Sequence, residues 1–281
     1  MFFFLSFCTS RLAVVTGGTR GIGYGIANSL AKSGFNLILG YNSNGSAAHN
    51  ACQELVKNHN VRVYCVEGDL CFLETRRRIF EQVDMSKDDL KVMVHNAGQY
   101  IGITSDNSFE LKPPTYMFGD GKGTVEKGSF LRYYQRLYSE AYIDLCEKAI
   151  QRMENGGSLI GISSPGCAPH YNPNPGYDLP GSGKCVMEYV NRLLALRVAS
   201  KGINSNIIVP GVTKTEAWEK LGNMRGTSGE ELVEEVSNKI APMGRMTPDQ
   251  LGECVSFLCG GGGKWITGLT IPVDGGIHLK I

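Results

Sequence analysis

The chain has 281 residues, 42% of them hydrophobic, which suffices for one large domain with a full core. Its 28 Lys and Arg balance 27 Asp and Glu. No basic run or basic–aromatic interleaving stands out, so nucleic acid and an anionic membrane surface are not expected as partners. Nine cysteines lie scattered, without a C-x-x-C pair or a Cys/His cluster at metal spacing. That argues against a disulfide framework or a zinc site, and for a reducing compartment, cytoplasm or an organellar matrix.

The first eight residues, Met1 to Cys8, form an apolar octet with no basic residue before it. It is too short to span a bilayer and lacks the charged start of a secretory signal. Residues 1–10 read as an exposed or partner-covered tail, or as the remnant of a longer precursor. From Arg11 onward, short apolar runs alternate with longer amphipathic segments. Strands are predicted at 11–16, 35–39, 61–66 and 90–95, and helices at 21–33, 46–58 and 70–83. A Gly- and Pro-containing insertion, 99–129, interrupts the rhythm. It resumes with a long helix over 130–153, a strand at 158–163, a helix over 182–200 and a strand at 204–209. A mobile polar stretch is expected over 213–230, then a helix at 248–259 and a last strand at 269–273. Strands alternating with helices imply βαβ units: an α/β fold, one Rossmann-type domain with a doubly wound parallel sheet and helices on both faces.

Thr16-Gly17-Gly18-Thr19-Arg20-Gly21-Ile22-Gly23 lies between a predicted strand and a predicted helix. Glycines there let the backbone approach a pyrophosphate, and the helix N-terminus offers unpaired N–H groups. The spacing is G-x-x-x-G-x-G, and Asn96-Ala97-Gly98 follows the fourth strand. With these motifs the chain resembles the short-chain dehydrogenase/reductase family. Asp69-Leu70, Ser163-Ser164, Pro210-Gly211 with Thr215, and Val273-Asp274-Gly275-Gly276 extend the resemblance from about Arg11 to the end. It implies that Gly17, Thr19, Arg20, Gly21, Ile22, Gly23, Asp69, Leu70, Asn96, Ala97, Gly98, Pro210, Gly211 and Thr215 line a dinucleotide. At the end of the second strand, Gly40-Tyr41-Asn42-Ser43 has no carboxylate to bind a ribose 2′-hydroxyl. Arg20 can instead attract a 2′-phosphate, with Asn42 and Ser43 near it, so the expected cofactor is NADP(H). The competing reading of Arg20 is a solvated loop residue.

The resemblance implies a Ser, Tyr and Lys that exchange a proton with substrate, the tyrosine four residues before the lysine. Here that position is Pro180, while Tyr177 stands seven residues before Lys184. This wider spacing is similar to that of enoyl-[acyl-carrier-protein] reductases. There the tyrosine hydrogen-bonds the thioester carbonyl, hydride goes to the β-carbon, and the lysine binds the cofactor ribose. Proline suits a first helical turn, so the helix is predicted to begin between Pro180 and Ser182. Ser164, thirteen residues before Tyr177, is the candidate serine, with Ser163 as a lesser stand-in. Either serine could merely cap the strand end. Tyr177 could be only a loop aromatic, in a degenerate member that binds nucleotide without catalysis. Lys184 could be a solvated helix lysine, although apolar neighbours at helical spacing favour a cleft. Gly181 and Gly183 are expected to make room for the nicotinamide. The helix asparagine that the family uses for a proton relay should fall near Tyr138, and 130–154 contains no Asn.

Three readings follow: an NADP(H)-dependent reductase of an activated enoyl (C=C) group; a carbonyl/alcohol (3-oxoacyl-type) reductase using the same Tyr177, Lys184 and Ser164; and a non-catalytic nucleotide-binding regulator. The insertion, the loop 165–177 and the stretch 212–225 should surround a small-molecule or acyl-thioester substrate. Trp218, Leu221 and Met224, at helical spacing, either cover that substrate or form a satellite core. The resemblance also implies a homotetramer or dimer through the helices at 130–153 and 182–200.

Overall fold

Alternation along Arg11–Thr16 (β1) decides the layering. Leu12 and Val14 enter one core cluster and Ala13 and Val15 another, all four fully buried. A strand buried on both faces has no solvated side, the signature of a sheet covered by helices above and below. The computed structural model describes residues 10–98, 130–167, 171–172 and 178–279. The apolar octet, the 99–129 insertion and Tyr177 lie outside the described residues.

Seven parallel strands form one sheet in the order β3-β2-β1-β4-β5-β6-β7. They are β1, Asn36–Tyr41 (β2), Val63–Glu67 (β3), Asp89–His95 (β4), Gly157–Ile162 (β5), Ile203–Pro210 (β6) and Thr270–Val273 (β7). The order reverses between β1 and β4, and Thr16 pairs with Gly40 on one side and His95 on the other. At such a switch point the flanking connections run to opposite faces, leaving a crevice beyond the strands' carboxyl ends.

One face carries Gly21–Lys32 (α1), Gly45–His59 (α2) and Pro248–Cys259 (α9), whose apolar residues join Val15, Leu37, Leu39 and Ile208. The other face carries Leu73–Ser86 (α3), Phe130–Tyr134 (α4), Ala141–Ile150 (α5) and Asp178–Val198 (α6), packed on Val14, Ile38, Met93 and Leu159.

Three expectations need correction. The single helix expected over 130–153 is broken, since α4 passes into α5 through a π-helical stretch, Gln135–Glu140. There the Leu137 carbonyl takes a hydrogen bond from outside the helix, from His95 Nε2 at 3.0 Å. The helix expected to start at Pro180–Ser182 begins at Asp178. Pro180 thus lies in its first turn, where backbone N–H groups have no intrahelical partner and a missing one costs little. The polar stretch 213–230 is substantially helical: Ala217–Arg225 (α7) ends at Gly226, and Gly229–Ile240 (α8), read as no element at all, follows. Gly226 adopts φ 71°, and Ser228 and Glu231 form a reciprocal capping box, so two local signals end one helix and start the next.

Candidate functional site

At the crevice, Thr16 is the polar hub. Its Oγ accepts the backbone N–H groups of Asn96 and Ala97, each at 3.1 Å. It also lies 3.2 Å from His95 Nδ1. With Nε2 donating to Leu137 O, Nδ1 is the acceptor and the Thr16 hydroxyl proton points to it. Burial holds His95 down at about 3, so the ring stays neutral and keeps that tautomer. The Asn96 amide donates to the carbonyls of Thr16 and Gly17, both at 3.1 Å. Asn96 therefore pins the glycine turn from behind.

That turn requires glycine. Gly17 sits at φ 63°, and a Cβ on Gly23 would lie 2.0 Å from the Gly17 carbonyl oxygen. Helix α1 then starts with no side-chain cap and no acidic residue in its first turn. Its N-terminal N–H groups are left for an anion, and the dipole favours one. Arg20, exposed, is the N-cap residue in extended backbone. Thr19 is buried and Ile22 half-buried. Thr215, after β6, comes over the turn, with its methyl 3.5 Å from where a Gly21 Cβ would be. Asn42 and Ser43 are exposed just past β2, beside Tyr41, whose hydroxyl donates to Glu67 at 3.3 Å. Asp69 accepts the Cys71 N–H at 2.8 Å, and Leu70 is a buried core residue. Pro210 ends β6 and is buried, and Gly211 N–H donates to Val273 O at 2.9 Å. The glycine turn, the uncapped helix start and the close-set β4 and β6 loops fit a dinucleotide.

Lys184 is only 6% exposed. Its Nζ donates to the Ile162 carbonyl at 2.9 Å and lies 4.6 Å from the centre of the Tyr138 ring. A cation over a ring face is attracted by the quadrupole. Burial lowers the ammonium to about 8, opposed by Cys167 and Glu188. The solvated-lysine alternative is thereby excluded. Gly183 differs from expectation: a Cβ there would meet the Tyr134 carbonyl at 2.8 Å and Tyr138 Cβ at 3.1 Å. Its smallness serves the close approach of α6 to α4 and the π-helical stretch, not a ligand.

The two serines after β5 diverge. Ser163 is buried and donates a short hydrogen bond to the Glu188 carboxylate, while Ser164 is half-buried at the crevice end of the sheet. Tyr138, at the position where a relay asparagine was expected, stacks on Tyr134 at 5.8 Å and presents its face to Lys184. Tyr171 is tied down: its hydroxyl donates to Asp274 at 2.6 Å. Asp274 is 3% exposed and also takes the N–H groups of Gly276 and His278, both at 2.9 Å. These hydrogen bonds hold its carboxyl below the usual range against its burial.

Sequence reasoning missed Glu188, His95, and the part of Tyr171 and Asp274. Glu188 carried a usable signal, an acid one helical turn after Lys184 on the same face. His95 carried only its position, a polar residue ending an apolar strand. Trp218 packs with Val212, Val233 and Ala241, and its Nε1 donates to Thr213 O at 2.8 Å, so it belongs to a satellite core. Among the described residues the eight cysteines are free, and no group of three or more His, Cys, Asp or Glu could hold a metal. No described helix is long and apolar enough to cross a membrane.

A family model for short chain dehydrogenase matches residues 11–226. Hydroxynaphthalene reductase-like protein Arp2 of Metarhizium anisopliae is 27% identical over 272 residues, 95% of this chain and 94% of that protein. The 1-cyclohexenylcarbonyl-CoA reductase of Streptomyces collinus is 26% identical, across 96% of this chain and 87% of its own length. The 3-oxoacyl-[acyl-carrier-protein] reductase FabG of Aquifex aeolicus is 26% identical, across 95% and 97%. Among solved structures, L-sorbose reductase of Gluconobacter frateurii, complexed with NADPH and L-sorbose, superposes with a TM-score of 0.79 at 24% identity, covering 97% of this chain and 98% of that one.

Proposed function

Since the chain belongs to the short chain dehydrogenase family, we propose that it is an NADP(H)-dependent reductase of an activated enoyl group, with Tyr177 as hydrogen-bond donor to the developing oxyanion. One observation carries this reading. Lys184 is built into the crevice, while the residue one turn before it is Pro180, buried in the first turn of α6 and without a hydroxyl. Another nearby tyrosine is spoken for: Tyr171 is committed to Asp274. Tyr177 is the tyrosine that remains in the segment leading to Lys184.

Bound in the crevice, NADP(H) supplies or accepts a hydride. The protein's part is orientation and charge. The α1 N-terminus would hold the pyrophosphate, Arg20 with Asn42 and Ser43 would hold the 2′-phosphate, and Lys184 would bind ribose and place a positive charge beside the reacting carbonyl. The cyclohexenylcarbonyl-CoA reductase among the relatives supports a C=C substrate on a thioester. Carbonyl reduction is the second reading. Ser164 at the end of β5 favours it, as do the 3-oxoacyl and hydroxynaphthalene reductase relatives.

NADPH oxidation with a crotonyl thioester and with an acetoacetyl thioester separates the two. The enoyl reading expects the crotonyl compound to be turned over faster, and expects Tyr177→Phe to abolish that turnover. Faster acetoacetyl reduction sinks it in favour of the second reading. NADPH binding with no turnover of any carbonyl or enoyl compound would favour the third reading, a non-catalytic nucleotide-binding regulator.

A homo-oligomer completes the proposal. Val186, Tyr189, Leu193 and Leu196 expose an apolar stripe on α6 at alternating three- and four-residue spacing, the pattern of a helix seam. Phe257, Trp265 and Leu269 expose a second apolar group near the C-terminal strand. Two self-complementary faces make a tetramer and one a dimer. Leu196→Glu should lower the oligomer mass in light scattering.

A further inference from the structure

Behind Lys184 lies a buried acid for which the proposed reaction has no use. Glu188 follows Lys184 by one helical turn on α6, is 7% exposed, and accepts the short hydrogen bond from Ser163. A carboxylate out of water is costly unless it is hydrogen-bonded and near a cation. The hydrogen bond is present, and the cation of Lys184 belongs to the preceding helical turn. Burial raises the Glu188 carboxyl, while Ser163 and then Lys184 pull it back toward the ionised form.

The surroundings of Lys184 single out Glu188 as its counter-charge. From β4 comes His95, neutral at every working pH. From the π-helical stretch comes the face of the Tyr138 ring. From the loop after β5 comes Cys167, which burial pushes up to about 12, so its thiol is still neutral where Lys184 titrates. Cys185, adjacent on α6, is likewise raised by burial. Tyr171, buried and bonded to Asp274, is raised far above the ordinary phenol. Of these groups, Glu188 is the carboxylic acid, raised by burial and drawn back toward its ionised form by Ser163 and Lys184.

We propose that Glu188 is a positioning residue of this site: its carboxylate, clamped by Ser163, keeps Lys184 in the ammonium form and locks α6 to the end of β5. The inference rests on the placement of Lys184 in the proposed reductase site, but its chemistry is local and can be read without substrate. Without Glu188, desolvation would act on Lys184 with one opposing charge fewer, and the site would lose its cation at a lower pH. With it, a dry cleft can retain a protonated lysine facing substrate.

The test is an NMR titration of the full chain carrying 13C-labelled lysine, with the Lys184 signal assigned through Lys184→Arg. The wild-type midpoint is expected near 8. In Glu188→Gln and in Glu188→Met it should fall by about one pH unit, the size expected when an opposite charge is removed. Glu188→Asp should restore most of it. Glu188→Met fills the same volume without burying an unpaired amide, so it decides the matter should the glutamine variant fail to fold. A Lys184 midpoint unchanged in a folded variant overturns the proposal. In NADPH turnover, the alkaline limb of the pH profile should move in the same direction. A wild-type protein inactive on both thioesters, yet showing the shifted midpoint, would refute the proposed reaction and leave the role of Glu188 intact.

Discussion

The two halves of the crevice are built by different means. On the β1–α1 side, the functional groups are backbone. A glycine turn, an uncapped helix start and two loop N–H groups are held in register by Thr16, Asn96 and a neutral His95. On the β5–α6 side the functional groups are side chains, Lys184 with Glu188, Ser163 and Tyr138, enclosed where α6 crosses the π-helical stretch. Backbone sites tolerate most side-chain changes and fail on steric ones. Side-chain sites fail on loss of charge or hydrogen bonding. The comparison gives distinct ways to break each half.

The largest effect is expected on the backbone side. Gly23→Val adds atoms where a single Cβ already lies 2.0 Å from the Gly17 carbonyl. NADPH binding, followed by fluorescence, should vanish. Wild-type-like affinity would mean that the turn is not the pyrophosphate site. Next comes Lys184→Met, which keeps the volume and removes the cation. Turnover should drop by about 100-fold or more, in line with the loss of a positioned proton-transfer or charge-stabilising group. A loss confined to NADPH affinity would restrict Lys184 to ribose binding.

Arg20→Ala should raise the KM for NADPH by about tenfold and leave that for NADH nearly unchanged, as one charge-assisted contact to phosphate is removed. Equal effects on both cofactors would return Arg20 to a solvated loop residue. A pH series on the wild type should show activity falling as pH rises through about 8. The lysine acts as a cation, its protonated form lies below that value, and deprotonation above it removes the charge. A rate that climbs steadily past pH 9 would contradict this. The smallest effect is expected for Tyr171→Phe, which removes a 2.6 Å hydrogen bond to buried Asp274. A stability loss of about 1–2 kcal/mol is expected by denaturant titration. If turnover also falls while NADPH affinity holds, the Tyr171 contact anchors the substrate side as well as the fold.

How much was legible follows the same divide. The glycine turn, Asn96-Ala97-Gly98 and the strand–helix alternation are local patterns, each readable within a dozen residues, and the doubly wound fold follows from them by the crossover rule. Lys184 could be placed from its apolar neighbours at helical spacing. The π-helical interruption was not legible, because its partner, His95, lies 42 residues from Leu137. Helix α8 was legible and overlooked: Ser228 and Glu231 stand at capping-box spacing ahead of Leu232, Val233 and Val236. Gly183 illustrates the opposite error. Its smallness was read toward a ligand, and the neighbour is the backbone of Tyr134.

By itself, then, the sequence determined the family, the parallel sheet and the glycine turn at its switch point, since each depends on short-range periodicity or on a turn that only glycine can make. Tertiary structure alone decided what surrounds Lys184. The Ile162 carbonyl comes from β5, the Tyr138 ring from the π-helical stretch and the Ser163 that clamps Glu188 from the strand end. A side chain's charge state depends on what excludes water from it and which charges share that dry space, and those neighbours are brought together only when the sheet and its helices pack.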